Sequence, residues 1–292
     1  MITRDRIVKN LTNPRLIQFY FAIYTDSGDN ASCRCWKNQA KRSFMHFKKI
    51  PEQRLFMRYF DLHIEATPVE KVVEFAEKLG YAGIGVKLNE HNAGVAEKLS
   101  TRLEIIPYAM IQANSKEELK HKLQAVRNRV ELVLVKGGVY EVNRAACEDS
   151  RVDVLCHPYH ERNDAGIDHI CAKAAHENNV AIEVNFSTIL NSPNRAKTLT
   201  MVRRMIELCK KYDVKIVTTS GARSVWEMRA PRELAAITHV LGLDIVGAIE
   251  SVSAVPERIV VTNRERLRNK RIGNYLRVVS EGDSTSGERN GG

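Results

Sequence analysis

Asp61-Leu62-His63-Ile64-Glu65 sets His63 and Glu65 two residues apart, with Asp61 two residues before His63. Residues i and i+2 of a strand share a face, so this spacing gathers an imidazole and carboxylates at one strand end. Such donors suit Zn, Mn or Fe. His157, closing Val152-Asp-Val-Leu-Cys-His157, and Glu183, inside Ala181-Ile-Glu-Val-Asn185, offer the same donors from later apolar runs. The set supports two readings: metal-assisted hydrolysis, or a hydrogen-bonded polar cluster with no metal. A second group is cationic. Lys87, Lys136 and Arg223 each stand at or just beyond the end of an apolar run. Phosphate contacts require a donor and a positive charge but no precise base geometry. Lys136-Gly137-Gly138 allows backbone to approach a phosphate closely, although a plain βα turn reads the same way.

These residues need a frame that brings distant strand ends together. From Met57 onward, short runs rich in Val, Ile and Leu alternate with amphipathic stretches, the pattern of parallel βα units. Strands are expected over Arg58–Ile64, Tyr81–Leu88, Leu103–Gln112, Glu131–Lys136, Val152–His157, Val180–Asn185 and Val214–Ser220, with Ile245–Ile249 as an eighth. Helix ends are signalled by Thr67-Pro68 with Glu70 as a capping box, by Gly80 as a stop, and by Ser115 with Glu118. The expectation is an α/β fold, a TIM-like (β/α) barrel with seven or eight parallel strands; a doubly wound open sheet is the alternative. In a barrel, function gathers at the C-terminal strand ends. There the sequence places His63, Glu65, Lys87, Asn89, Gln112, Lys136, His157, Glu183, Asn185, Ser220 and Arg223.

The chain has 292 residues, 43% hydrophobic and 27% charged, with a net charge of +10. No apolar run approaches a membrane span, and Arg4, Asp5, Arg6 and Lys9 interrupt any signal peptide, so a cytoplasmic protein is expected. Six scattered cysteines do not make a disulfide scaffold; Cys147, Cys156, Cys171 and Cys209 read as small buried apolar residues, and Cys33-x-Cys35 with His46 falls short of a zinc site. The charge is uneven. Residues 1–56 hold eleven Lys/Arg against four Asp/Glu, residues 257–280 hold seven against two, and residues 57–256 are balanced. Residues 1–56 show no sustained period, so they are read as an extension, disordered or a misread start, ahead of a barrel over 57–280. Residues 281–292 read as a disordered tail.

Further basic residues fall outside the strand ends. Arg195, Lys197, Arg203 and Arg204 lie on an expected helix after Pro193; Arg195 is nearest the strand-end loop, while Lys197 and Arg203 read as a solvated face. Arg229 and Arg232 flank Pro231 at a helix start, where a ligand contact competes with pairing to Glu227 or Glu233. Arg264-Glu-Arg-Leu-Arg-Asn-Lys-Arg271 is the densest basic segment of the barrel region and reads as a helix, with Arg268 at its centre.

Asp61-Leu-His63, Val154-Leu-Cys-His-Pro158, Ile182-Glu-Val-Asn185 and Ser220-Gly-Ala-Arg223 resemble degraded motifs of the PHP-type metallophosphoesterases. In that family the first strand ends in His-x-His and a late strand in a Ser-Asp-Ala-His-like segment. This chain has Glu65, Gly221 and Arg223 at the substituted positions, and an arginine puts a fixed positive charge where a cation would sit. The closer resemblance is to the archaeal ribonuclease P protein component 3 family of PHP-like barrels. It is carried by Val152–Pro158, Arg162 and Asp164, Gly166–Ala175, Glu177–Asn185, Ser220–Trp226, Met228–Leu234 and Val255–Asn263, in that order, and covers about residues 57–280. The resemblance implies a subunit of the tRNA 5′-leader endonuclease in which RNA performs the cleavage using Mg²⁺. It implies ribonuclease P RNA, precursor tRNA and a small RRM-like protein as partners, and no catalytic residue or metal in the protein itself.

On this reading the RNA-contact candidates are Lys87, Lys136, His157, Arg195, Arg223, Arg229 and Arg268. Asp61, His63, Glu65, His157 and Glu183 are vestigial metal positions. Two competitors stay open: a live metal-dependent phosphoesterase using His63, Glu65, His157 and Glu183, and a scaffold that binds only its protein partner.

Overall fold

The computed structural model describes residues 57–87, 102–268, 271–272 and 276–277. The readings made above for residues 1–56, Leu88, Asn89 and the tail 281–292 lie outside these residues. Seven parallel strands follow one another in order: β1 (Phe60–Ile64), β2 (Gly83–Lys87), β3 (Glu104–Gln112), β4 (Leu132–Lys136), β5 (Val154–Cys156), β6 (Ala181–Asn185) and β7 (Ile216–Thr219). The intervening helices are α1 (Val69–Leu79), α2 (Lys116–Val126), α3 (Tyr140–Cys147), α4 (His169–Asn178), α5 (Phe186–Leu190) and α6 (Arg195–Lys211). After β7 come α7 (Pro231–Val240), α8 (Ile245–Glu250) and α9 (Ala254–Leu267), then a two-stranded antiparallel ribbon of β8 (Arg271–Ile272) and β9 (Leu276–Arg277). Among the described residues, no helix is long and apolar enough to cross a membrane.

The sheet curls into a nearly closed barrel. Among the described residues no eighth strand completes it; backbone from the neighbouring loops bridges β1 and β7 instead. At the top, Gly221 N donates to His63 O (3.1 Å) and Glu65 N to Ala222 O (2.8 Å). At the bottom, Phe60 N donates to Val252 O (2.9 Å) and Thr218 N to Ser251 O (3.0 Å). These four bonds satisfy edge groups that an open sheet would expose. The expected eighth strand, Ile245–Ile249, is instead α8. Asp244 caps it by accepting from Gly247 N (3.0 Å), and Ile245 and Val246 are exposed. A five-residue apolar run does not by itself distinguish strand from helix; the Asp244 cap was the missed signal.

Alternation sorts the strand residues between two layers. Phe60, Leu62, Ile106, Leu132, Leu134, Val154, Ala181 and Val217 fill the barrel interior, and Val255, Ile259 and Val260 of α9 plug its lower end. The opposite faces of β3 to β7 pack on α2 to α6, with Val133, Val135, Leu155, Ile182 and Val184 fully buried. Arg264 fastens the plug. It pairs with Glu104 and, at 2.7 Å, with Glu131, residues at the lower ends of β3 and β4.

Two other expectations need correction. Helix α1 starts at Val69 after Pro68, with no side-chain cap, so Thr67 with Glu70 is not the capping box it resembles. Gly80 does stop it, at φ +86°, and Ser115 Oγ does accept from Glu118 N (3.2 Å). The basic segment 264–271 is not a helix of its own: α9 begins ten residues earlier and ends at Leu267, and Arg271 belongs to β8.

Candidate functional site at the barrel mouth

His63 stands at the top of β1, and a strand irregularity aims it. Phe60 and Leu62 both face the interior, so strict alternation would send His63 outward. The β1–β2 register shifts between Asp61 and Ile64, and the extra residue turns the His63 imidazole into the barrel. Gly85 of β2 permits this: a Cβ there would lie 2.1 Å from Leu62 O. Asp61 therefore does not share the His63 face, contrary to the simple pleat. Its carboxylate accepts Ser220 N (3.2 Å to each oxygen) and ties β1 to the end of β7. Burial pushes Asp61 up to about 6 despite these bonds and the nearby His63.

Glu183 on β6 is the hub. It is fully buried, and its Oε1 accepts from His63 Nδ1 (2.6 Å), Thr219 Oγ1 (2.6 Å) and Asn185 Nδ2 (3.1 Å). Its Oε2 lies 3.8 Å from His157 Nε2. Burial opposes the charge of both His63 and Glu183, but their mutual attraction wins, so the imidazole is held well above its ordinary range and the carboxylate well below. His157 ends β5 with φ +49°, which stops the strand one residue earlier than expected and folds the ring back over the mouth. Its Nδ1 lies 2.9 Å from Thr188 Oγ1, and burial lowers the pKa of the ring. Glu65 is exposed, 3.6 Å from His63 Nε2 on one side and 3.6 Å from Arg223 Nε on the other.

The donors His63, Cys156 and Glu183 bring ligand atoms within 4.8 Å of one another. His63 Nε2 and Glu183 Oε2 are buried without hydrogen-bond partners. Among the described residues these atoms fall short of the full donor set that the PHP-like motifs imply. His63 gives Nδ1 to Glu183, which leaves Nε2 as its one ring nitrogen for a metal. Burial pushes the Cys156 thiol up to about 12. The place of the late-strand aspartate is closed: a Cβ on Gly221, at φ +58°, would lie 2.3 Å from the Asn185 amide. Arg223 then occupies the neighbourhood of Glu65 as a fixed cation.

The other sequence candidates divide by location. Lys87 ends β2 and is exposed, Lys136 ends β4 half-buried, and Arg223 is 73% exposed in the loop after β7, so the mouth does gather three cations. Arg195 lies at the start of α6, donating to Leu190 O (2.9 Å) at the end of α5. Arg229 donates to Trp226 O and Met228 O (both 2.8 Å) and covers the Phe186 ring. Arg268, on the last turn beyond α9, belongs to the lower end of the barrel and is not brought to the mouth. Lys197 reaches Asn163, and Arg203 the carbonyl of Val240. Sequence reasoning missed Thr219, Thr188 and Tyr108. Thr219 is in register with Asn185, and the edge of Tyr108 meets the His63 ring at 5.6 Å. Their signal was only strand alternation, which points any residue of the right parity inward.

Residues 58–268 match the family model described as RNase P subunit p30. The chain belongs to the RNase P subunit p30 family. It is similar to the ribonuclease P protein component 3 of Methanosarcina barkeri, 32% identical over 236 residues, covering 77% of this chain and 98% of the relative. The Methanothermobacter thermautotrophicus protein of the same name is 31% identical, covering 73% and 93%. A chain in the cryo-EM structure of archaeal ribonuclease P with mature tRNA superposes with a TM-score of 0.64 at 28% identity, covering 79% of this chain and all of that one. The barrel and its mouth are thus those of a ribonuclease P protein subunit of the p30 family.

Proposed function

We propose that the chain acts within ribonuclease P, the holoenzyme that removes 5′ leaders from precursor tRNA, by binding and supporting the catalytic RNA while contributing no chemistry of its own. The observation that carries this is the rim of the mouth: among the described residues, Lys87, Lys136 and Arg223 surround a buried His63–Glu183 pair at 2.6 Å. The cations around them, Lys87, Lys136 and Arg223, are placed to neutralise phosphates, which lets RNA strands approach one another and hold their own Mg²⁺ in place. His157, Arg195 and Arg229 extend this contact around the rim, and Arg268 serves a separate contact at the lower end. The partners are ribonuclease P RNA, precursor tRNA and a small RRM-like protein, in the cytoplasm, with residues 57–280 as the working barrel.

The test is a Lys87→Ala, Lys136→Ala, Arg223→Ala triple variant of the full chain in reconstituted precursor-tRNA cleavage at limiting Mg²⁺. Cleavage falls and recovers as Mg²⁺ is raised, while the thermal midpoint stays within a few degrees of wild type. Unchanged cleavage at limiting Mg²⁺ overturns the assignment of these residues.

A further inference from the structure

Among the described residues, Trp226 is the most exposed large apolar side chain, with 78% of its surface open. It sits in a short 3-10 turn, Val225–Glu227, just after Arg223 of the mouth. The turn is tied on both sides: Glu227 N donates to Ser224 O (3.1 Å), Glu227 Oε2 accepts from Arg223 N (2.8 Å), and Arg229 Nη1 donates to Trp226 O (2.8 Å). The indole is thus held out on fixed backbone, so a ligand that covers it need not order a loop. Beside it opens a groove of about 470 Å³, lined by Phe75 and Leu79 of α1, Phe186 at the start of α5, and Met228. Phe75 meets the indole in a T-shaped contact at 6.2 Å.

The charges of this segment differ in what they have left to offer. Residues 223–233 hold three arginines against two glutamates, and both glutamates accept backbone amides, Glu227 from Arg223 and Glu233 from Ala230 (3.1 Å). Arg229 lies over the Phe186 ring at 5.3 Å and gives Nη1 to the carbonyls of Trp226 and Met228. That leaves its Nε and Nη2, the edge that pairs bidentately with an oxyanion, without an acceptor among the described residues. Arg232, the second residue of α7, is exposed and has no ion pair among the described residues.

An aromatic face flanked by unpaired guanidinium edges fits a flat ring that carries its own anion. A nucleotide is such a group: its base stacks on the indole and its phosphate takes the free edge of Arg229. An aliphatic side chain of a protein would fill the groove and leave both arginines unanswered. A base inside a duplex has its faces covered by its neighbours, so the indole selects an unpaired one. Arg223, three residues earlier, lies within about 11 Å of Trp226 along even a fully extended backbone, which sets the groove beside the cations of the mouth.

We propose that Trp226 is a stacking site for one unpaired nucleobase of RNA, with Arg229 and Arg232 holding the adjoining phosphate. The assignment rests on the RNA-binding reading of the mouth and adds to it a requirement for unpaired strand.

The experiment uses the full chain with Trp36→Phe as parent, which leaves Trp226 as its one indole. Trp226→Ala, Trp226→Tyr, Arg232→Ala and the mouth triple variant are made in that parent. The probes are a short labelled single-stranded RNA of mixed sequence and the same strand annealed to its complement. The single strand quenches Trp226 emission as it binds, and the duplex does not. Affinity for the single strand falls about tenfold in Trp226→Ala, within the range of one base–aromatic stack, and most of it returns in Trp226→Tyr. The slope of log affinity against log salt stays the same in Trp226→Ala, which loses no phosphate contact, and is shallower by about 0.7 in Arg232→Ala. Equal affinity of parent and Trp226→Ala, with the mouth triple variant weakened, overturns this site and leaves the proposed function standing. Absence of RNA binding by every protein overturns both. Normal RNA affinity in Trp226→Ala together with loss of the small RRM-like protein makes the groove a protein interface and also overturns the proposal.

Discussion

Glu183→Gln isolates the charge at the hub of the mouth while keeping its shape. A pair at 2.6 Å in a medium of effective dielectric near 20 attracts by roughly 6 kcal/mol. When the carboxylate becomes an amide, His63 loses the reason to hold its proton, and release of the desolvated imidazolium returns about half of that. The expected net cost is about 3 kcal/mol at pH 7, the lower end of what breaking a buried pair costs. For a domain of this size the midpoint then falls by about 6 to 12 °C. The pH dependence decides the cause. Because the folded-state pKa of His63 is raised, its share of the stability is full below its ordinary value of 6.5 and fades as pH climbs through the higher folded value. Because that of Glu183 is depressed, its share is full above 4.5 and fades in acid. The gap between wild type and variant should therefore be widest between pH 4.5 and 6.5 and close on both sides. Thermal melts from pH 4 to 10 measure it, and NMR titration of His63 in the variant should show a pKa below 6.5. A midpoint change under about 2 °C, or a gap independent of pH, would refute the ion pair as the organiser of the mouth.

Three further outcomes follow from the same geometry. Arg127→Ala leaves Asp153 buried without its cation, held by the Val133 amide (2.7 Å) and Asn263, and should cost about 3 to 5 kcal/mol by urea unfolding, whereas Arg127→Met with Asp153→Leu should recover most of it. Gly221→Ala pushes a methyl into the Asn185 amide from a left-handed backbone and should destabilise by about 2 kcal/mol or more, with Asn185→Ala on the same chain relieving part of the loss. Asp61 is raised to about 6 against an ordinary 3.8, so stability should decline by roughly 3 kcal/mol as pH rises between those values and then level off. An Asp61→Asn variant that keeps the same decline would assign it to another group.

The layered architecture was readable because parallel strands buried on both faces are forced into Val, Ile and Leu runs, and seven such runs were all present. The seam was not readable. Closure by Gly221, Ala222, Ser251 and Val252 uses backbone groups that carry no side-chain signature, and the apolar Ile245–Ile249 filled the vacancy in the pattern as a false strand. At the site, His63, Glu65, His157 and Glu183 were legible as donors at strand ends. Their mutual arrangement was not, because it depends on the irregularity after Asp61 and on the left-handed turn at His157, each a one-residue event that resets parity.

The claim that the RNA, not this chain, cuts the substrate is tested most directly by precursor-tRNA cleavage at low Mg²⁺. The assay compares the ribonuclease P RNA with and without the full chain and its small protein partner, and includes the chain alone. The expected result is stimulation that requires the RNA, with no cleavage by the protein alone and no loss of stimulation in Glu183→Gln assayed below its melting range. Cleavage by the chain alone, abolished by a chelator and by His63→Ala, would contradict the account.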